Sequence, residues 1–215
     1  MSDPRLACFD LDNTLIDRDG AFLAWAEWWV DRCGLGDDAV AWLLAHDNGG
    51  FTPRAELFAG LRERFGLTAS VEELVDAYDH EHPSFTWVEQ SVLDGLASLR
   101  TAGWRVAVVT NGGVVQQSWK LEHTKIAGAV DYCCISQAAG VRKPDRRIFE
   151  IVADHTSATL DDGWMVGDHP SYDVAGGKNA GLNTIRIGDK HPVDTPVADH
   201  QFASVLDAFP TIVAG

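Results

Sequence analysis

The sequence predicts an α/β fold, a doubly wound parallel sheet covered by helices on both faces and interrupted early by an all-helical insertion. Three observations carry this. The short apolar run Arg5-Leu6-Ala7-Cys8-Phe9 stops at Asp10 and reads as a buried strand. From residue 19 to 82 apolar residues recur only at helical spacing. From residue 88 onward, short buried runs alternate with helices of about ten residues, the pattern that a parallel sheet requires. The expected division is a Rossmann-like three-layer core from residues 1–17 and 84–215, with a helical cap over 18–83.

Each element has its own signal. Phe22, Trp25, Ala26, Trp29 and Val30 fall on one helical stripe, which Gly34 and Gly36 end. Thr52-Pro53 opens the next helix with proline at its start, and Gly66 closes it. Ser70-Val71-Glu72-Glu73 has the spacing of a capping box and starts another. The chain breaks around His82-Pro83-Ser84, and Gly20 and Pro83 sit where a hinge is expected. Residues 88–100 then read as a helix and 104–109 as a strand ending at Thr110-Asn111-Gly112-Gly113. A helix over 114–126 and a strand over 129–135 follow. A helix over 145–154 leads to the strand 163–166, which ends at Gly167-Asp168, and a helix from Asp173 to Asn179 precedes the strand 183–187.

Composition narrows the function classes. The 215 residues include 17 Lys and Arg against 32 Asp and Glu, a net charge of −15. A field of that sign repels phosphate backbones and anionic lipid, so nucleic acid and membrane surfaces are not expected partners. No apolar run approaches the ~20 residues of a membrane span, and the opening Met1-Ser2-Asp3-Pro4-Arg5 has no basic segment leading into an apolar one. A cytoplasmic chain is expected. Cys8, Cys33, Cys133 and Cys134 lack metal-ligand spacing and read as small hydrophobes kept reduced. Composition does not decide between monomer and homodimer.

In such a sheet, chemistry gathers beyond the carboxyl ends of the strands. The first strand offers Asp10-Leu11-Asp12-Asn13-Thr14, the second Thr110-Asn111-Gly112, and the loop after the third Lys143-Pro144. The fourth offers Asp168, with Asp173 five residues on. Four carboxylates on one edge repel one another unless a hard cation joins them. Mg²⁺ suits this edge, because it takes oxygen ligands and is completed by waters and a substrate phosphate. Lys143 supplies a compact positive charge and Thr110 a hydroxyl donor for anionic oxygens.

Phe9-Asp10-Leu11-Asp12-Asn13-Thr14-Leu15 resembles the first motif of the haloacid dehalogenase superfamily, hydrolases acting mainly on phosphate esters. Thr110-Asn111 is similar to the second motif, Lys143-Pro144 to the third, and Gly167-Asp168 through Asp173 to the fourth. The resemblance covers about residues 5–209, and the insertion resembles the helical cap found at that point in many members. It implies that Asp10 is the nucleophile and forms an aspartyl-phosphate. It implies that Asp12 protonates the leaving alcohol and then activates water. Mg²⁺ would meet side chains of Asp10 and Asp168 and the main-chain carbonyl of Asp12, while Asp173 orients Lys143 or a metal-bound water. Thr110, the amides near Asn111 and Gly112, and Lys143 would hold the phosphoryl oxygens.

Trp25, Trp28, Trp29, Trp42 and Trp87 place five of the eight tryptophans in or beside the cap. Packing of a small helical lid is the first reading. The alternative is that Phe22, Trp25 or Trp28 faces the site and contacts the leaving group. His46-Asp47-Asn48-Gly49-Gly50 reads as a loop between cap helices, a solvated turn or a segment that reads the substrate through His46. His169 is read as an edge residue and not a ligand.

The leading expectation is a Mg²⁺-dependent phosphatase of small phosphorylated metabolites. A sugar phosphomutase with the same core comes next. A 2-haloacid dehalogenase would use Asp10 alone and need neither Asp12 nor Asp168. A non-catalytic phosphate-binding module comes last. Residues 18–86 hold 5 Lys and Arg against 13 Asp and Glu, a balance of −8, which disfavours polyphosphates.

Overall fold

The computed structural model describes residues 4–191 and 196–214. It divides into two compact units, one from Met1–Asp17 with Trp87–Gly215 and one from Arg18–Thr86. In chain order the elements are β1 (Arg5–Phe9), α1 (Arg18–Arg32), α2 (Asp37–Asp47), α3 (Arg54–Phe65), α4 (Val71–Glu81) and α5 (Gln90–Thr101). Then come β2 (Arg105–Thr110), α6 (Val114–His123), α7 (Ile126–Ala129), β3 (Tyr132–Ile135), α8 (Ser136–Ala139) and α9 (Arg147–Thr156). The chain closes with β4 (Thr159–Gly167), α10 (Ala175–Ala180), β5 (Asn183–Ile187), β6 (His200–Phe202) and α11 (Ala208–Ala214).

The larger unit is a six-stranded sheet in the order β3-β2-β1-β4-β5-β6 with every pairing parallel. Alternation along β1 explains its three layers. Ala7 and Phe9 face one way and join Val92, Leu96 and Leu99 of α5 and Phe209 and Ile212 of α11. Leu6 and Cys8 face the other and join Ile148, Phe149 and Val152 of α9. Strand side chains alternate sides, so a strand apolar at every position is covered on both faces. The chain runs outward from β1 through β2 to β3, then returns to lay β4 on the other flank of β1. The crevice at the ends of β1 and β4 is thus the switch point of the sheet, where such folds place ligands.

Several boundaries differ from the sequence reading. The helix expected over 114–126 stops at His123 because Lys125 turns left-handed (φ 63°), and α7 starts after it. β3 is shorter than its apolar run, and β4 begins at Thr159. The expected helix at Asp173 is a wide turn over Pro170–Val174 before α10 begins. The expected hinge residue Gly20 lies inside α1, and Pro83 lies in a 3₁₀ turn. Strand β6 has no counterpart in the sequence reading.

The smaller unit packs α1 to α4 around its own aromatic core. Trp25 sits edge-on to Tyr78 at 4.7 Å and stacks on Trp29 at 5.8 Å, with Phe22, Phe58, Leu43 and Leu61 closing the cluster. The Ser70–Glu73 capping box opens α4. Asp47, at the end of α2, is buried. Arg54 Nη1 donates to its Oδ1 at 2.7 Å, Arg18 Nη2 donates at 2.8 Å, and Arg18 Nη1 binds its other oxygen. Burial works against its charge, but the two guanidiniums outweigh it and hold the carboxyl below the usual range. No helix among the described residues is long and apolar enough to cross a membrane.

Candidate active site

The register of the central strands builds the site. Phe9 pairs with Val166 of β4, so Asp10 lies level with Gly167 and Asp168 comes one residue beyond. On the other side Phe9 pairs with Val108, so Thr110, the last residue of β2, comes to the same edge. Oxygens of Asp10, Asp168 and Asp173 lie within 4.8 Å of one another. Asp173 reaches them only because residue 167 is glycine. A Cβ there would stand 2.3 Å from the Asp173 Cγ.

Lys143 Nζ joins two of these carboxylates, donating to Asp10 Oδ1 at 2.7 Å and to Asp173 Oδ1 at 2.7 Å. Its side chain is 2% exposed. Burial disfavours the ammonium, yet the two carboxylates more than reverse this and raise its pKa. Asp173 Oδ2 accepts the His169 N–H at 2.9 Å, so both its oxygens are committed. Asp173 is thereby the residue that fixes Lys143. Asn111 secures the same loop from below, accepting the Lys143 N–H at 2.9 Å and donating to its carbonyl at 3.1 Å.

One lysine does not neutralise three carboxylates. Burial, opposed by Lys143 and reinforced by Asp173, pushes Asp10 up to about 7. Burial and the charges of Asp10 and Asp173 push Asp168 up to about 8. His191 Nε2 lies 3.3 Å from Asp168 Oδ2. His169 Nδ1 accepts N–H bonds from Ser171 and Tyr172, so it caps the turn that carries Asp173. Hard oxygen donors that resist joint ionisation fit a divalent cation of the Mg²⁺ kind.

Three expectations need correction. The Asp12 carboxylate stands apart from this trio. It accepts from Lys120 Nζ at 2.8 and 3.1 Å and from Gln117 Nε2 at 3.0 Å. The Gly112 N–H, expected to hold phosphoryl oxygens, donates to Ser136 Oγ at 3.0 Å. The His46-to-Gly50 segment is not a simple solvated loop, since His46 and Asp47 form the last turn of α2. The His46 ring is exposed and lies on Trp42, with centroids 3.9 Å apart. Phe22 and Trp25 lie in the aromatic core of the helical unit, as the packing reading expects. Thr110 is buried and its Oγ1 accepts from Gln117 at 2.6 Å.

Sequence reading missed Gln117 and Lys120. Their signal is faint: two polar residues three apart on α6, on the side that also buries Leu121.

A doubly wound sheet with carboxylates at the ends of its two central strands defines the class. The chain belongs to the haloacid dehalogenase-like hydrolase family, which it matches over residues 7–187, and it is a hydrolase. It is 32% identical to glyceraldehyde 3-phosphate phosphatase of Pyrococcus abyssi over 42% of this chain, and the match spans only 38% of that enzyme. It is 28% identical to phosphoserine phosphatase of Thermus thermophilus, over 79% of this chain and 70% of that one. It is 26% identical to (S)-2-haloacid dehalogenase 4A of Burkholderia cepacia, over 99% and 96%. Among solved structures, the HAD-hydrolase YfnB of Bacillus subtilis, described as bound to magnesium, superposes with a TM-score of 0.81 at 19% identity, covering 98% of this chain and 99% of that one.

Proposed function

We propose that this protein is a Mg²⁺-dependent phosphatase of small phosphate monoesters that works through an aspartyl-phosphate on Asp10. The observation that carries the reading is the separation of two carboxylates only two residues apart. Asp10 is gripped by Lys143 beside Asp168, whereas Asp12 has its own cation in Lys120. A nucleophile and a proton-transfer group need different surroundings, and this loop gives each its own. A dehalogenase has no use for the second carboxylate or for the trio, although dehalogenases are among the relatives.

Asp10 Oδ attacks phosphorus as the bond to the leaving oxygen breaks, and Asp12 gives that oxygen its proton. Asp12 then takes a proton from the water that releases phosphate and frees Asp10. Lys143 and the Thr110 hydroxyl would balance charge on the phosphoryl oxygens. Asp10, Asp168 and the Asp12 main-chain carbonyl would hold Mg²⁺, which would supply further charge neutralisation at the phosphoryl group. The acidic balance of residues 18–86 supports small monophosphates as substrates.

Release of phosphate from p-nitrophenyl phosphate and from a panel of phosphorylated metabolites tests this, with Mg²⁺ and with EDTA. Mg²⁺-dependent release is expected. Chloride release from 2-chloropropionate, or isomerisation of hexose phosphates without hydrolysis, would replace the reading by one of its rivals.

Metal binding should also depend on pH in a defined direction. Asp10 and Asp168 must lose protons that they hold up to about pH 7 and 8, so affinity rises with pH. At a hundredfold excess over its Kd, Mg²⁺ is expected to stabilise the protein by about 2.7 kcal/mol. The melting shift at a fixed Mg²⁺ concentration should be larger at pH 8.5 than at pH 6, and Asp168→Asn should remove most of it. Equal shifts at both pH values would contradict a carboxylate site.

A further inference from the structure

Lys120 has a position that a helix surface does not require. Its side chain is 2% exposed on α6, where an apolar residue would cost no desolvation. Its ammonium reaches both oxygens of Asp12, at 2.8 and 3.1 Å. One turn earlier, the buried Gln117 donates both hydrogens of its amide, one to Asp12 Oδ2 at 3.0 Å and one to Thr110 Oγ1 at 2.6 Å. Glycine at 112 leaves room for this, since a Cβ there would lie 2.8 Å from the Gln117 Cγ. Gly112 therefore seats Gln117, while its own N–H is engaged by Ser136.

We propose that Lys120 and Gln117 are positioning residues that lock the Asp12 carboxyl in place for proton transfer to the leaving oxygen and tie it to Thr110. This rests on the phosphatase reading above. Asp12 lies on a loop with its side chain 25% exposed, so without partners its carboxyl would move among rotamers. A general acid must stay within about 2.6–3.2 Å of the oxygen it protonates. A displacement of about 1 Å can cost about 100-fold in rate. Lys120 and Gln117 fix both oxygens from the α6 side. The Thr110 contact sets that carboxyl against the residue that would hold the phosphoryl group.

The test is a leaving-group series of 2,4-dinitrophenyl, p-nitrophenyl and phenyl phosphate with Mg²⁺, read as kcat/KM, which reports the step in which the leaving group departs. A strongly acidic phenol leaves without a proton, whereas phenol needs one. Lys120→Met should lose about 100-fold on phenyl phosphate but stay within about threefold of wild type on the dinitrophenyl ester. Lys120→Arg should recover part of the loss. Asp12→Asn should show the same selectivity, and adding Lys120→Met to it should change little, as expected of residues acting as a unit. Should Lys120→Met fail to fold, Gln117→Leu is read in the same way. Equal losses across the series in a folded variant, or additive losses with Asp12→Asn, would overturn the proposal. A wild-type protein that hydrolyses none of the three esters would instead refute the phosphatase reading, and the positioning role with it.

Discussion

Asp10→Asn is expected to lower turnover by about four to six orders of magnitude, the range seen when a covalent nucleophile is removed. An amide nitrogen is a poor nucleophile and cannot carry the phosphoryl group as a mixed anhydride. Geometry sharpens the expectation. Asp10 follows β1 at the switch point, and Lys143 grips its Oδ1 at 2.7 Å. Acid-quenched wild-type protein should retain label from a ³²P-labelled ester in a form released by hydroxylamine, and the variant should retain none. The same substitution has a second, opposite effect on stability. The folded pKa of Asp10 is raised to about 7, above its unfolded value, so the native state binds the extra proton. Stability from this group therefore falls as pH rises from about 4 to 7. The metal-free variant lacks that loss, so its stability should fall less than that of wild type between pH 5 and pH 8. Turnover within tenfold of wild type would remove Asp10 from its role.

Legibility followed the physics of each part. The strand ends could be read because each apolar run closes on a polar residue, Asp10, Thr110 and, after Gly167, Asp168. The aromatic stripe Phe22-Trp25-Trp29 could be read as one face, and it is the face that packs on Tyr78 and Phe58. Lys120 could not, because a helical lysine normally points to water. Its burial depends on which side of α6 meets the sheet, and that is settled by packing between distant segments. Gly112 shows the opposite limit. A glycine after a strand suggests an available amide, but the role of this one is to leave space for Gln117. Strand β6 was invisible because His200-Gln201-Phe202 is short, mostly exposed and without alternation. The Arg18–Asp47–Arg54 cluster was missed because Arg18 lies 29 residues from Asp47 and the three meet only after the helices pack.

Lys143→Met should depress all substrates together, by on the order of 10³-fold, because it removes charge at the phosphoryl group and not a contact to any particular leaving group. Its structural consequence is just as specific. The side chain bridges Asp10 and Asp173 in a buried setting, and removing one member of such a group typically costs about 3–5 kcal/mol. The pH dependence separates the lysine from its partners. The pKa of Lys143 is raised, so the stability it contributes is present throughout the neutral range and is lost only above pH 10. Without it, the carboxyl pKa of Asp10 rises further, and the proton it then holds in the native state must be lost as pH increases. The destabilisation measured by urea unfolding in EDTA should accordingly be larger at pH 8 than at pH 5. Mg²⁺ should offset part of it at pH 8, since it is the other cation suited to this trio. Arginine is not expected to substitute, because a planar guanidinium is larger than the space around an ammonium that is 2% exposed. A Lys143→Met protein that is equally destabilised at both pH values would show that the lysine fills volume and does not balance charge.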